Sequence, residues 1–153
     1  MDFVSTIKEL RKLYHDTIKQ YYNDKHILFK MLYHRTMYDH IYEIDLSFRT
    51  CMNFGFKDSR INYLLSNKPK KAVEQLRTRG LCCLYVVSAI NYLIQNTPLV
   101  YDYDSEVLNK FKHIRKTLCD MAERDINLSN QMAKQNNLEP LSEDKLKIDE
   151  FRK

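Results

Sequence analysis

The stretch LCCLYVVSAINYLI, residues 81–94, decides which fold this sequence predicts. It is the longest apolar run in the chain, and it contains no charged residue. A transmembrane helix needs roughly twenty apolar residues, which is more than this run offers. A helix that is apolar on nearly all sides is normally covered by its neighbours. We therefore predict that residues 69–95 form the central, buried helix of a bundle.

The composition of the whole chain favours an all-helical fold. The 153 residues include only 2 Gly and 3 Pro, whereas a β-sandwich or barrel needs such residues at short intervals for its turns. A hydrophobic content of 44% and a charged content of 29% are ordinary for a globular domain. The first twelve residues, MDFVSTIKELRK, lack the order of a signal peptide. We predict a single-domain all-α bundle of five or six helices around the central apolar helix.

Apolar residues that recur every three or four positions predict the other helices. The predicted elements cover about residues 6–23, 24–55, 58–67 and 104–132, with Pro69 opening the central helix. Beyond residue 132 the sequence turns polar. We therefore predict a bundle domain over residues 1–132 and a loosely attached polar tail over residues 133–153, in which a short helix after Ser142 is the one element that could form. The predicted core contains Ile7, Leu10, Ile27, Met31, Leu84, Val87, Ile90, Phe111 and Leu118.

The segment LYHRTMYDHIY, residues 32–42, has the side chains of a metal or catalytic site. His34 and His40 are six positions apart and face different sides of a helix, which argues against a helical two-histidine metal site. Arg35 and His40 have the Arg-x4-His spacing of helical ribonucleases, in which the pair stabilises a phosphorane and moves protons. We favour a structural interpretation: Arg35 pairs with Asp39 at i,i+4, His40 faces water, and His34 lies on the apolar stripe.

No other catalytic or cofactor-binding pattern is present in the sequence. It has no G-x-S-x-G segment, no P-loop and no paired carboxylates between apolar residues. The cysteines, Cys51, Cys82, Cys83 and Cys119, include no C-x2-C pair. We therefore predict no enzymatic activity, no metal and no cofactor. Free thiols are typical of a reducing compartment, for which the cytoplasm is the first choice and the nucleus the second.

Basic residues concentrate at the start of the central helix and on the last amphipathic helix. The net charge is +5, and the candidate residues for binding phosphate or an acidic partner are Lys68, Lys70, Lys71, Arg77, Arg79, Lys112 and Arg115. Cations at a helix N-terminus oppose the helix dipole at a cost of a few tenths of a kcal/mol each, whereas the free N–H groups there attract anions. A plain solvated face is the commoner origin of such residues. Most of the 11 Tyr fall on stripes predicted to face the core, where they could not stack on bases.

The segment Arg79-Gly80-Leu81-Cys82-Cys83-Leu84-Tyr85 opens the apolar helix. It resembles the central helix of poxviral proteins with the apoptosis-regulator helical fold. That resemblance implies a single-domain bundle that blocks host innate signalling by binding host proteins. The chain departs from the family in being basic and in lacking both Trp and an Asn-Trp-Gly-Arg segment, so an apoptotic-peptide groove is not implied. His34-Arg35 with His40, followed by Gln75 and Gly80, is also similar to a nucleolar RNase MRP subunit family, but that family's basic signature is missing.

Two functions follow from these patterns. The first is a non-enzymatic protein–protein interaction module, an adaptor or inhibitor that occupies a partner's surface, because long helices offer a face or groove and no catalytic residues are evident. Its partner could be a host signalling protein or, through an exposed apolar stripe, a second copy of the chain. The alternative is a basic helical RNA-binding subunit of a larger complex.

Overall fold

A computed structural model describes residues 2–23, 27–53, 57–96, 105–141 and 147–153, and in these ranges the regular structure is entirely helical. The helices are α1 (Phe3–Asn23), α2 (Ile27–Asn53), α3 (Asp58–Asn67), α4 (Pro69–Asn96), α5 (Ser105–Gln135) and α6 (Ile148–Phe151). The side chains of residues 21–38, Asn96 and Ser105 lie outside the description. The predicted all-α bundle of five or six helices is confirmed.

Four long helices form the bundle. The helix α1 packs between α2 and α5, and α4 packs between the same two helices on the other side. The short helices α3 and α6 also pack on α4, which therefore has more neighbours than any other helix. The central position predicted for residues 69–95 is confirmed.

Contacts along α4 give the direction of its two long neighbours. The helix α5 runs antiparallel to α4, because the Ser129 hydroxyl donates to the Val73 carbonyl near one end and Arg115 donates to Asn91 near the other. The helix α2 is also antiparallel to α4. Its Cys51 thiol contacts the Cys82 thiol, whereas the ring of His40 lies 4.9 Å from that of Tyr92.

The core is built from the apolar stripes of the long helices. Seven of the predicted core residues are buried, namely Ile7, Leu10, Leu84, Val87, Ile90, Phe111 and Leu118. The side chains of the other two, Ile27 and Met31, lie outside the described residues. Tyr14 is fully buried between the rings of Phe48 and Phe111, at centroid distances of 5.7 and 6.1 Å. Its hydroxyl donates to the Ile41 carbonyl at 3.2 Å, which satisfies the one polar atom that this side chain brings into the core.

A glycine sets the close approach of α4 and α5. A Cβ atom at Gly80 would lie 2.8 Å from Cγ1 of Ile126 and 3.3 Å from the carbonyl oxygen of Ala122. Any larger residue would therefore push the two helices apart or displace the isoleucine. This glycine is needed because of interhelical packing, since its own backbone is ordinary helix.

A carboxylate joins α1 to α2 at the edge of the core. Asp45 accepts hydrogen bonds from Nε of Arg11 at 3.0 Å and from Nε2 of His15 at 2.8 Å, and Arg49 lies 3.1 Å away on the same helix. Burial raises the pKa of Asp45, but the hydrogen bonds from Arg11 and His15 outweigh burial and hold that pKa below its usual value. The carboxylate is therefore held in its charged form.

The C-terminal segment differs from the predicted loose tail. The helix α5 continues to Gln135, beyond the predicted domain boundary at residue 132, because Ala133 is buried against the bundle. Residues 147–153 pack on α4 and α5. Arg152 binds Asp120 at 2.7 Å and Glu123 at 2.6 Å, and Asn91 donates to the Phe151 carbonyl at 3.0 Å. The short helix predicted after Ser142 begins at Ile148.

Candidate interaction surface

Arg79, one of the seven predicted binding residues, lies inside the protein. Its Nε and Nη2 donate to the two oxygens of Asp125 at 2.8 and 2.9 Å, and Nη1 donates to Asp58 at 2.7 Å. The guanidinium carbon lies 4.3 Å from the centre of the Phe3 ring. Burial lowers the pKa of Arg79, but the two carboxylates outweigh it and raise that pKa above its usual value. Arg79 therefore ties α3, α4 and α5 together, and its place in the predicted binding set is wrong.

Three of the predicted residues do lie on the surface at the start of α4. Lys68, Lys70 and Lys71 are exposed, and within the described ranges none of them forms an ion pair. Arg77 is half-buried, and its Nη2 donates to the carbonyl oxygen of Glu139. A surface cavity of about 410 Å³ at this end of α4 is lined by Lys70, Val73, Glu74, Arg77, Thr78, Leu81, Leu138 and Glu139.

The other two predicted residues lie at the opposite end of the helix pair. Nη1 of Arg115 donates to Oδ1 of Asn91 at 2.9 Å, and burial lowers the pKa of this arginine. Lys112 is exposed nearly one turn earlier on α5. Because Lys70 precedes Asn91 by 21 positions on α4, the two basic sets are about 30 Å apart along that helix. The predicted residues therefore do not form one basic patch.

A different surface of α4 has the character of a binding site. Leu81, Tyr85, Ser88 and Tyr92 follow one another at steps of four, three and four residues, on one side of the helix. Leu81 is 43% exposed, Tyr85 60% and Tyr92 53%, and Ser88 is exposed as well. We call these four residues the α4 face. The central helix that the sequence predicts is therefore not buried on every side, because its neighbours leave these residues exposed.

The α4 face is also free of charge. No charged residue occurs in the sequence between Arg79 and Asp102. A helix face in contact with water normally carries charged side chains, whereas depletion of charge and enrichment in tyrosine are typical of the centre of a protein–protein interface. The composition of this exposed surface is therefore that of an interface.

The neighbouring helix α2 also exposes two large apolar side chains. Leu46 is 46% exposed and Tyr42 is 58% exposed on the outward side of α2, with exposed Glu43 and Arg49 beside them. His40 is half-buried against Tyr92, so the prediction that it faces water is only partly right. The side chains of His34 and Arg35 lie outside the described residues, and the ribonuclease interpretation stays untested.

The tyrosines whose side chains are described are more exposed than the sequence pattern predicted. Among the tyrosine side chains that the structure describes, only Tyr14 is buried, whereas Tyr42, Tyr63, Tyr85 and Tyr92 are all more than half exposed. An apolar stripe marks the side of a helix that faces the core, but the tyrosines on the outward sides repeat with a similar spacing. The sequence pattern alone did not separate these two groups.

The buried Cys51 is held as an unreactive thiol. All four are free, and Cys51 contacts both Cys82 and Cys83. The contact with Cys82 lowers the pKa of Cys51, but the contact with Cys83 and burial raise it further, with the result that it lies well above its usual value. Such a thiol is a poor nucleophile because it is protonated. The described part of the chain contains no group of side chains that could hold a metal ion.

No helix in the described ranges is long and apolar enough to cross a bilayer.

Comparisons with known proteins give no family from which a function could be inferred. The chain matches no protein family model, no curated protein and no solved structure.

Proposed function

We propose that this chain is a non-enzymatic protein–protein interaction module, an adaptor or inhibitor that binds its partner through the α4 face. The observation that carries this proposal is the exposure of Leu81, Tyr85 and Tyr92 on a helix face without charge. Large contiguous apolar surfaces are uncommon on soluble monomers and usually mark interaction sites.

The expected gain from covering this surface is substantial. Tyr85 is 60% exposed, which leaves on the order of 100 Å² of its surface open to a partner. At about 25 cal/mol per Å², burial of that one side chain contributes about 2–3 kcal/mol before the entropy cost of association. Tyrosine also keeps its hydroxyl available for a hydrogen bond at the interface rim. Tyr85 is therefore the residue whose replacement should weaken binding most.

The resemblance of residues 79–85 to poxviral immune modulators supports one kind of partner. If the resemblance extends to function, the chain inhibits a host signalling protein by binding to it. The expected compartment for this binding is the cytoplasm. The four free cysteines are consistent with a reducing compartment.

The RNA-binding alternative rests on fewer residues in the folded chain. Lys68, Lys70 and Lys71 are exposed and could contact phosphates. Arg79, however, forms a buried ion pair with Asp125, and Arg115 lies at the other end of α4. The exposed tyrosines could stack on bases, but no basic residue accompanies them on the α4 face. We therefore keep this function as the second candidate.

An affinity-capture experiment separates the two functions. The tagged chain, Tyr85→Arg, the double variant Lys70→Gln/Lys71→Gln and the control Tyr63→Arg are each incubated with cell lysate, with and without nuclease. An interaction module loses its protein partners in Tyr85→Arg only, and nuclease has no effect. Loss of partners on nuclease treatment, together with loss in the lysine variant, would establish RNA binding instead. Tyr63 is a matched control because it is also a tyrosine, 59% exposed, on α3.

A further inference from the structure

We infer that the surface of α4 and α5 beneath the C-terminal segment, residues 147–153, is a peptide-binding site, and that this segment competes there with a segment of a partner protein. The helix α6 packs on both long helices, and we call the surface that it covers the α6 site. The partner segment has the chemistry of Ile148, Phe151 and Arg152: an apolar residue, an aromatic residue three positions later and an arginine directly after it. The α6 site is separate from the α4 face, so it stands even if the α4 face binds nothing.

The α6 site binds a guanidinium with two carboxylates. Nη1 of Arg152 donates to Oδ1 of Asp120 at 2.7 Å, and Nη2 donates to Oε2 of Glu123 at 2.6 Å. The other oxygen of Asp120 accepts a hydrogen bond from Lys116 at 2.9 Å. A guanidinium spans two carboxylates with donors in a fixed planar fork, which the single ammonium of a lysine does not offer. The α6 site is therefore suited to an arginine.

The α6 site also contacts the backbone of the segment. The side-chain amide of Asn91 donates to the carbonyl oxygen of Phe151 at 3.0 Å, and its own oxygen accepts from Nη1 of Arg115 at 2.9 Å. Because a guanidinium has donors only, Arg115 fixes the orientation of this amide and keeps its NH2 group directed at the carbonyl. Such a hydrogen bond forms with any residue at that position. It therefore sets where a bound segment lies, and the neighbouring contacts select the side chains.

Few contacts hold the C-terminal segment in place. Ile148 and Phe151 pack against the core, but both are only partly buried. The helix α6 has four residues, and a helix of that length is not stable in water without packing. It follows Lys147, whose φ of 42° lies in the left-handed region that a residue with a Cβ atom rarely adopts. The segment therefore depends on a small interface, which a stronger ligand can replace.

The C-terminal segment does not fill the space around it. A cavity of about 380 Å³ on its α5 side is lined by Ile126 and Asn130 together with Ile148. A second cavity of about 290 Å³ on its α4 side is lined by Asn91 together with Phe151. Covalent attachment gives the segment an effective concentration on the order of millimolar, so weak contacts are enough to keep it in place. A longer partner helix that also fills the two cavities binds more tightly and displaces it.

Titration of the full chain with a peptide tests the inference. The probe is KIDEFRK, the sequence of residues 147–153, and its binding is followed by the NMR shift of the Asn91 side-chain amide in isotope-labelled protein. In the undocked variant, Phe151→Ser/Arg152→Glu, the internal segment no longer fits, and the peptide should bind with a dissociation constant on the order of millimolar or below. The unaltered chain should bind it at least about fivefold more weakly, because its own segment competes. The control Lys153→Gln, at an exposed side chain, should behave like the unaltered chain.

Altered peptides test the chemistry of the α6 site. A peptide with Arg152→Lys should bind the undocked variant at least about fivefold more weakly, because it lacks the guanidinium fork, whereas a peptide with Lys153→Gln should bind like the original. Absence of a shift at Asn91 in the undocked variant, or equal binding by both chains, would overturn the inference. If circular dichroism shows that the undocked variant is unfolded, Arg152→Glu alone gives the same test.

A second copy of the chain is the other possible source of such a segment. Sedimentation equilibrium of the unaltered chain should show no dimer that is lost in Arg152→Glu. A dimer of that kind would mean that two copies exchange their C-terminal segments, and the assignment of the α6 site to a partner protein would be wrong.

Discussion

Replacement of Asp125 by alanine is expected to destabilise the bundle by about 3 kcal/mol, because it leaves the Arg79 guanidinium buried with an incomplete set of partners. The side chains of Arg79 and Asp125 are only 4% and 2% exposed. The change removes two charge-assisted hydrogen bonds, each worth about 1.5–3 kcal/mol. Removal of one member of a buried pair usually costs about 3–5 kcal/mol, and Asp58 keeps one contact with Arg79, which places the expected value at the lower end.

Urea unfolding followed by circular dichroism measures this loss. The slope of free energy against urea should stay the same, and the midpoint should move to lower urea. The control is Asp149→Ala, the same chemical change at a side chain that is 96% exposed, for which an effect below about 0.5 kcal/mol is expected. The double variant Arg79→Leu/Asp125→Leu should cost less than Asp125→Ala alone, because no charge of the pair then stays buried. A loss below about 1 kcal/mol for Asp125→Ala would refute the assignment of Arg79 to a buried structural pair.

Three further predictions concern other parts of the fold. Gly80→Ala should lower the free energy of unfolding by about 1–3 kcal/mol through overpacking between α4 and α5, and an increase in the urea midpoint would contradict the close approach. The double variant Lys70→Gln/Lys71→Gln should leave the stability unchanged or raise it by a few tenths of a kcal/mol, because it removes two unfavourable charges from the start of α4, whereas a loss above about 1 kcal/mol would show that these lysines pair with carboxylates. Because the pKa of Asp45 is held below its usual value, its carboxylate contributes stability above about pH 4, and this contribution is lost as the pH falls through the lower folded-state pKa. Asp45→Asn should therefore be less stable than the unaltered chain near neutral pH and approach it in acid, and an equal difference at both pH values would argue against this pairing.

The helical fold could be predicted from the sequence because helices are specified locally. The spacing of apolar residues within each segment marks one side of a helix, and the scarcity of Gly and Pro excludes frequent turns. The uncharged run of residues 81–94 also predicted which helix would be central, since a helix without charges needs covering neighbours. The predicted core residues with described side chains are buried for the same reason.

The binding surface depended on where other helices lie, which the sequence pattern does not contain. From the sequence pattern, Arg79 is predicted to be a surface cation. Its partners Asp58 and Asp125 are 21 and 46 positions away, so the pattern around Arg79 does not show the ion pairs. Lys70 and Arg115 are on neighbouring helices, but the antiparallel packing of α4 and α5 sets them at opposite ends. The run that predicted a buried helix is open along Leu81, Tyr85 and Tyr92, because the neighbours of α4 do not cover that side. The amino-acid sequence by itself determined the helices and their apolar sides. Only the tertiary structure decided which charged side chains form buried ion pairs and which apolar side chains stay exposed on the surface. Both depend on contacts between residues far apart in the chain.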